Sequence, residues 1–301
     1  MQELLQRIGV TIDVAFFIVF FSLIWVRILM MTSITPFLFG KPVPRYVLVA
    51  ASFVLAAFAF PNLVPKTPPA LSEDRLQLVM LFLKEIFYGL SIGMAVSVIF
   101  HAFSSVGQMV DNQRGMSIAR VLIPQLGEQG SVTGLFLFQF AIVIYLSMGG
   151  HLVFLDTFFQ SFRSLPLLEF PEAGPGMLAF ADFFIKLTGE VVYIALQLSM
   201  PVIIAIFLAD LILGLANRIA PQINVWMLGF QIKGYLGILM VFVAITMIGE
   251  QIESYTNKAN DYTGEAVQFL EGKIPEGFEE ISLPNEGMPD TDLGPVPVIT
   301  K

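Results

Sequence analysis

The chain has 301 residues, of which 56% are hydrophobic and only 13% charged. That is about half the charged fraction of an ordinary soluble domain, which argues against a water-soluble globule. The formal net charge is −8, and no basic footprint for nucleic acid is present. Because there is no cysteine, disulfides, thiolate zinc sites, iron–sulfur clusters and cysteine nucleophiles are excluded.

Long apolar stretches recur from residue 14 to residue 249. Each is close to the roughly 20 residues that a helix needs to cross a bilayer. We predict hydrophobic helices at about 14–31, 46–64, 86–110, 132–155, 191–215 and 225–248. No alternating ten-residue pattern typical of a transmembrane barrel occurs. The predicted fold class is therefore an all-α, polytopic helical membrane protein with about six long hydrophobic helices.

Small residues line the third of these segments, at Gly89, Ser91, Gly93, Ala95 and Ser97. Small side chains let the backbones of neighbouring helices approach one another closely. We therefore expect this segment to pack tightly against at least one other helix.

Two further segments are expected outside the hydrophobic helices. Residues 177–190 are predicted to form a separate short amphipathic helix. The C-terminal end is rich in proline, glycine and acidic residues, and 251–301 contains ten acids and three bases. Such a composition is typical of a solvated, disordered tail. The predicted organisation is a hydrophobic helical domain over 1–255 and an acidic, largely disordered tail over 256–301.

Several polar residues lie within or near the apolar segments, where an ionisable group is expensive and tends to face a cavity, a partner or a counter-charge. Arg27, Asp210 and Lys233 could form a charge relay, pair structurally, or reach the membrane surface with their polar ends. For Arg27, near the end of its segment, the last two explanations are favoured. With Arg218 and Gln222, these residues are candidate interface or pore-lining groups.

The residues that would carry enzyme chemistry are largely missing. His101 and His151 are fifty positions apart and show no metal-binding spacing such as H-E-x-x-H. We expect both histidines to be buried and hydrogen-bonded. No G-x-S-x-G elbow or phosphate-binding loop occurs, so no catalytic residue, metal or cofactor is predicted.

A polar cluster follows the third hydrophobic segment directly. It consists of Asp111, Asn112, Gln113, Arg114, Gly115 and Met116. An ordinary polar loop is the simplest interpretation. The residues that follow are again aliphatic, without forming a full-length span. Irregular backbone at membrane depth persists only when it is buried in protein or lines a cavity. The pattern therefore predicts a plug, gate or re-entrant element.

Four motifs together resemble one family, the FliR/SctT export-gate subunits of bacterial type III secretion systems. They are RILMMTSITPFLFGKPVPR at 27–45, DNQRG at 111–115, GGHL at 149–152 and LILGLANRIAPQIN at 211–224. The resemblance covers roughly residues 15–248. The DNQRG motif and Lys233 resemble the injectisome (virulence) branch more than the flagellar branch.

The resemblance implies a non-enzymatic subunit of a protein-export pore in the bacterial inner membrane, within the basal body of the secretion system. Its implied partners are SctR/FliP-like and SctS/FliQ-like gate subunits, an SctU/FlhB-like switch protein, and secreted proteins in transit. The resemblance also implies that helical hairpins pack on partner subunits as well as on lipid. The loop at about 114–131 would then lie across the closed pore as a plug.

Two other functions are compatible with the residues alone. A stand-alone secondary transporter would use Asp210, Lys233 and Arg27 as a charge relay, and such transporters commonly contain inverted repeats. No repeat is evident in the sequence. A membrane scaffold that recruits proteins through the acidic tail is the third hypothesis.

Overall fold

A computed structural model describes residues 14–39, 43–65, 75–116, 131–170, 176–222, 224–275 and 278. Every regular element in these ranges is an α-helix, which confirms the predicted all-α fold. The helices are α1 (Val14–Ile34), α2 (Arg45–Leu63), α3 (Arg75–Gln113), α4 (Val132–Ser147), α5 (Gly150–Ser164), α6 (Gly176–Ile219) and α7 (Val225–Leu270).

Helix α3 lies at the centre of the molecule and packs against α1, α4, α6 and α7. Its small residues make this possible, as predicted. A Cβ atom on Gly89 would overlap the carbonyl oxygen of Arg27, and one on Gly93 would lie 3.0 Å from the carbonyl oxygen of Met31. The backbones of α1 and α3 can therefore approach at a distance that larger residues would prevent.

Five helices in the described ranges are long and apolar enough to cross a membrane, or up to six if α4 and α5 are taken as one broken span. The single helix predicted at 132–155 is wrong, because α4 and α5 meet at an angle of 76°. Gly149 adopts a φ of 77° between them, a conformation that glycine tolerates best. The Tyr145 ring lies where a Cβ atom on Gly150 would be, so both glycines are needed at the bend.

The separate amphipathic helix predicted at 177–190 is also wrong. Residues 176–219 form one continuous helix, α6, with 44 residues. At 1.5 Å per residue it is about 66 Å long, roughly twice the thickness of the hydrocarbon core of a bilayer. The stretch Thr188–Glu190 contains no proline that would end the helix. At 44 residues, α6 is longer than one crossing of the apolar layer requires.

Helix α7 likewise continues past the boundary predicted at 255/256 and ends at Leu270. Although this part of the helix is rich in acidic residues, it also contains a buried stripe of small and apolar residues: Ile252, Ala259, Thr263, Ala266 and Phe269. Their spacing of three, four or seven residues places them on one helix face. The first fifteen residues of the predicted tail are therefore part of the helical body, whereas 279–301 lie outside the described residues.

The chain stays attached to the body after α7 ends. Gly272 has a φ of 78°, and its N–H donates to the carbonyl oxygen of Phe269 at 2.9 Å. Farther on, the ring of Phe278 lies 4.7 Å from the ring of Phe269. The Lys186 ammonium lies 3.9 Å from the centre of the Phe278 ring, a typical cation–π arrangement. These contacts hold the start of the acidic tail against α6 and α7.

Truncation at two positions distinguishes the helical extension from the tail. We expect a chain ending after residue 278 to melt at the wild-type temperature, because the buried contacts of α7 are retained. A chain ending after residue 255 loses several buried side chains, including Phe269, each contributing about 1.5–3 kcal/mol. We expect it to melt at a clearly lower temperature in detergent and to accumulate less in membranes. Equal melting temperatures of the two truncated chains would contradict the packing described for 256–270.

Candidate functional site

Asp111 joins the end of α3 to the beginning of α4. Its side chain is buried, and its carboxylate accepts hydrogen bonds from Ser131 Oγ at 2.6 Å, Thr133 Oγ1 at 2.7 Å and Thr133 N at 3.2 Å. Arg114 Nη1 donates to the same carboxylate at 3.0 Å and to Thr133 Oγ1 at 3.3 Å. Charged groups make the stronger hydrogen bonds in proteins. We call Asp111, Arg114, Ser131 and Thr133 the loop-base clasp.

The first turn of α4 is suited to receive this carboxylate. Ser131 caps the helix, its Oγ accepting a hydrogen bond from Gly134 N at 2.7 Å. The N-terminus of a helix presents free N–H groups and a partial positive charge, both of which favour an anion such as Asp111. The clasp therefore holds together the two chain ends from which residues 117–130 emerge.

Two glycines let α3 and α4 cross at the clasp. A Cβ atom on Gly107 would overlap the backbone of Gly134, and one on Gly134 would lie 2.7 Å from the carbonyl oxygen of Ser104. Any larger residue at either position would separate the helices and lengthen the hydrogen bonds of Asp111. The clasp therefore requires glycine at both positions.

The predicted gate residues divide into two groups. Asp111 and Arg114 belong to the clasp, and Gly115 turns the chain with a φ of 85°. Asn112 and Gln113 are exposed, and Met116 is half-buried. These six residues lie at the base of the predicted plug, whereas the rest of it, 117–130, lies outside the described residues.

The α4 half of the clasp, Ser131 and Thr133, is not among the site residues predicted from the sequence. A signal for it exists, because Ser131 stands directly before a long apolar run, where a serine commonly caps a helix. Nothing in the local sequence indicates that both hydroxyls bond to Asp111, twenty or more positions away.

A second polar group lies between α6 and α7. Lys233 Nζ is 3.1 Å from Asp210 Oδ1, and both side chains are partly exposed. They face a cavity of about 450 Å³. Its lining includes Gly115, Asp210, Asn217, Asn224, Phe230 and Lys233. The other two predicted interface residues, Arg218 and Gln222, are exposed at the end of α6 and in the turn that follows.

Arg27 belongs to a different cluster. It is fully buried, and its Nε donates to Glu85 Oε2 in an ion pair. Lys84 Nζ lies 3.1 Å from the other oxygen of Glu85. The charge relay of Arg27, Asp210 and Lys233 is therefore not assembled, because Arg27 pairs with Glu85 while Asp210 pairs with Lys233.

Both cations of this cluster also bind main-chain oxygens beyond the last turn of α5. Arg27 Nη2 donates to the carbonyl oxygen of Leu165 at 3.0 Å. Lys84 Nζ donates to the carbonyl oxygens of Pro166, Leu167 and Glu169 at 2.7, 2.9 and 2.8 Å. A helix C-terminus carries free carbonyl groups and a partial negative charge that cations stabilise. The cluster thus fixes the end of α5 and the following segment to α1 and α3.

The histidines differ from the expectation that both are buried and hydrogen-bonded. His101 is exposed on α3, with its ring centre 5.7 Å from that of Phe138. His151 is half-buried, and its Nδ1 has no hydrogen-bond partner among the described residues. In the described part of the chain, no group of three or more His, Asp or Glu residues could hold a metal ion.

Comparison with known proteins identifies the family. The sequence model of the bacterial export proteins, family 1, matches residues 18–259. The chain belongs to this family. The match includes the clasp and the Arg27–Glu85 and Asp210–Lys233 pairs, and it ends eleven residues before the end of α7.

Relatives come from both flagellar and type III secretion systems. The chain is 32% identical to the flagellar biosynthetic protein FliR of Bacillus subtilis, over 76% of this chain and 86% of that protein. It is 36% identical to the Yop proteins translocation protein T of Yersinia pestis, over 68% and 76% of the two chains. The surface presentation of antigens protein SpaR of Salmonella typhimurium is 29% identical over 64% and 70%.

These relatives establish the class of protein. Members of the family are structural components of flagellar and type III secretion export apparatus, and they are not enzymes. They assemble with other components of that apparatus. With its long apolar helices, this chain is a membrane protein of the same kind.

Proposed function

We propose that this chain is a subunit of the inner-membrane export gate of a type III secretion system, located within the basal body. It completes a pore together with SctR/FliP-like and SctS/FliQ-like subunits, and an SctU/FlhB-like switch protein is attached. Unfolded secreted proteins pass through this pore. The DNQRG motif and Lys233 favour the injectisome branch.

The surface of α6 and α7 supports assembly into a larger complex. Large apolar side chains are exposed there, including Ile219, Trp226, Tyr235 and Phe242, which are 65–78% exposed. In a helical membrane protein, large apolar side chains exposed in this way indicate contact with lipid or with partner proteins. In the proposed gate, neighbouring subunits cover part of it and lipid covers the rest.

The loop-base clasp is the observation that carries the gating role. Residues 117–130 start and end at the same place, because Asp111 holds the two helix ends together. Fourteen fully extended residues span at most about 50 Å, so a loop of this length with joined ends could reach at most about 25 Å from its base. A segment of that length, anchored on a partly buried ion pair, is suited to lie across a pore and to return to the same position. We assign it as the plug.

A stand-alone transporter is the second candidate. One observation favours it: the Asp210–Lys233 pair faces a cavity, as an intramembrane ion site would. Arg27, however, takes no part in that pair. A transporter is expected to be active as a purified single protein in liposomes, whereas a gate subunit is not.

The test is purification of the tagged chain from its native membrane in mild detergent, with mass spectrometry of the proteins that accompany it. Recovery of small, very hydrophobic SctR-like and SctS-like proteins in a large complex is the expected result. A monomer or simple homodimer, under conditions that preserve other membrane complexes, would overturn the proposal and favour the transporter.

A further inference from the structure

Helix α7 passes directly behind the loop-base clasp. Gly237 is buried, and a Cβ atom placed on it would overlap Cδ of Arg114 and lie 2.6 Å from its Cγ and 2.9 Å from its Nε. The stem of Arg114 therefore crosses α7 where the helix has no side chain. One turn away, a Cβ atom on Gly234 would meet no heavy atom of another described element within 4 Å.

The same face of α7 makes two other contacts near the clasp. Phe230, Lys233 and Gly237 are spaced three and four residues apart, which places them on one side of the helix. A Cβ atom on Gly115 would lie 2.7 Å from Cε1 of the Phe230 ring, and Lys233 pairs with Asp210 of α6. The opposite side of α7 exposes Tyr235 and Phe242. This half of α7 thus contacts Asp210 of α6 and the two clasp-side residues Arg114 and Gly115 through one face.

We propose that Gly237 is a positioning residue: it holds Arg114 in the clasp and thereby couples α7 to the base of the plug. Arg114 has little freedom to avoid a side chain at position 237, because its guanidinium is bound to Asp111 and Thr133. The atoms that would collide belong to the middle of the side chain and not to its mobile end. Displacing them therefore breaks the ion pair with Asp111.

The contact between α7 and Arg114 is steric. Among the residues that the structure describes, buried Arg114 Nε has no hydrogen-bond partner, so the contact with α7 contributes shape and adds no hydrogen bond. A shift of α7 against α3 is therefore expected to move the stem of Arg114 and to lengthen its hydrogen bonds to Asp111 and Thr133. Through Lys233 and Asp210, the same shift involves α6. The α6–α7 pair therefore sets how firmly Arg114 is held against Asp111 and Thr133.

Two glycine substitutions on α7 test this inference. Gly237→Ala and Gly234→Ala increase helix propensity to the same extent, and only the first collides with Arg114. The chain contains no cysteine, so Met116→Cys and Val132→Cys provide two unique sites for spin labels on either side of the clasp. We expect G237A to broaden and lengthen the distance distribution between the labels in the assembled complex, and G234A to leave it unchanged.

A double variant separates positioning from general packing. In an Arg114→Ala background the collision is absent, so G237A is expected to cause no further change in the distance distribution. If G237A alone fails to accumulate, recovery of the protein in R114A/G237A supports the inference. An unchanged distribution in G237A, an additional change in the R114A background, or no recovery in the double variant overturns it.

The inference rests on the proposed plug in one respect, which a second measurement isolates. If residues 117–130 close a pore, a clasp weakened by about 1.4 kcal/mol raises the open population and the efflux of small solutes about tenfold. A changed label distance with unchanged efflux would leave the Gly237 inference standing and defeat the plug assignment. Raised efflux with an unchanged label distance would overturn the Gly237 inference.

Discussion

Deletion of residues 116–128 is expected to leave the export complex assembled and to make the membrane permeable to small solutes. The four residues of the clasp are outside the deletion. Because the Asp111 carboxylate already contacts Ser131 at 2.6 Å, the deletion joins chain ends that lie close together. Removing the segment that closes a water-filled conduit is expected to raise ion efflux about tenfold or more above the wild-type rate.

The measurement combines complex size, determined in mild detergent, with solute efflux from vesicles that contain the complex. Truncation after residue 278 is the matched control, since it removes more residues but leaves the clasp and the loop intact. It is expected to retain the low efflux of the wild type. A correctly assembled 116–128 deletion with wild-type efflux would defeat the plug assignment.

Replacement of Arg27 is expected to have the largest effect on stability. Arg27→Ala leaves Glu85 as a buried carboxylate without its guanidinium partner and removes the donor to the carbonyl oxygen of Leu165. Removing one partner of a buried ion pair typically costs about 3–5 kcal/mol. We expect R27A to accumulate poorly and to melt at a much lower temperature in detergent.

Lys233→Ala is the matched control for this substitution. The Lys233–Asp210 pair also joins two helices, but its side chains are 21% and 45% exposed, and such pairs contribute about 0–1 kcal/mol. We expect K233A to melt near the wild-type temperature. Replacing both Arg27 and Glu85 with apolar residues is expected to restore part of the lost stability, because no charge is then left unpaired. Equal melting temperatures for R27A and the wild type would contradict a structural role for this pair.

The positions of the apolar helices could be predicted from the sequence because hydropathy over about 20 residues is a local property. The ends of the helices were less predictable. The bend at Gly149 depends on the Tyr145 ring against Gly150. The extension of α7 depends on the packing of Ala266 and Phe269 in one cluster with Ala95 of α3 and Phe183 of α6. An acidic composition predicts a solvated tail only where no buried face is present.

The ionic groups show the same division. The apolar surroundings of Arg27, Asp210 and Lys233 indicate that each needs a partner. They do not indicate which residue the partner is. Lys84 and Glu85 stand just before the predicted start of the third hydrophobic segment, so its composition does not include them. Ser131 and Thr133 look like the ordinary start of a helix.

By itself, the sequence determined that the chain is a helical membrane protein, where its apolar helices lie, and to which family its motifs belong, because hydropathy and motif spacing are properties of the linear chain. The tertiary structure alone decided which charges pair, that the two ends of the loop are held together, and that Arg114 crosses α7 at Gly237. Hydrogen bonds and ion pairs act over about 3 Å in space. Only the packing of helices brings residues twenty to more than a hundred positions apart within that distance.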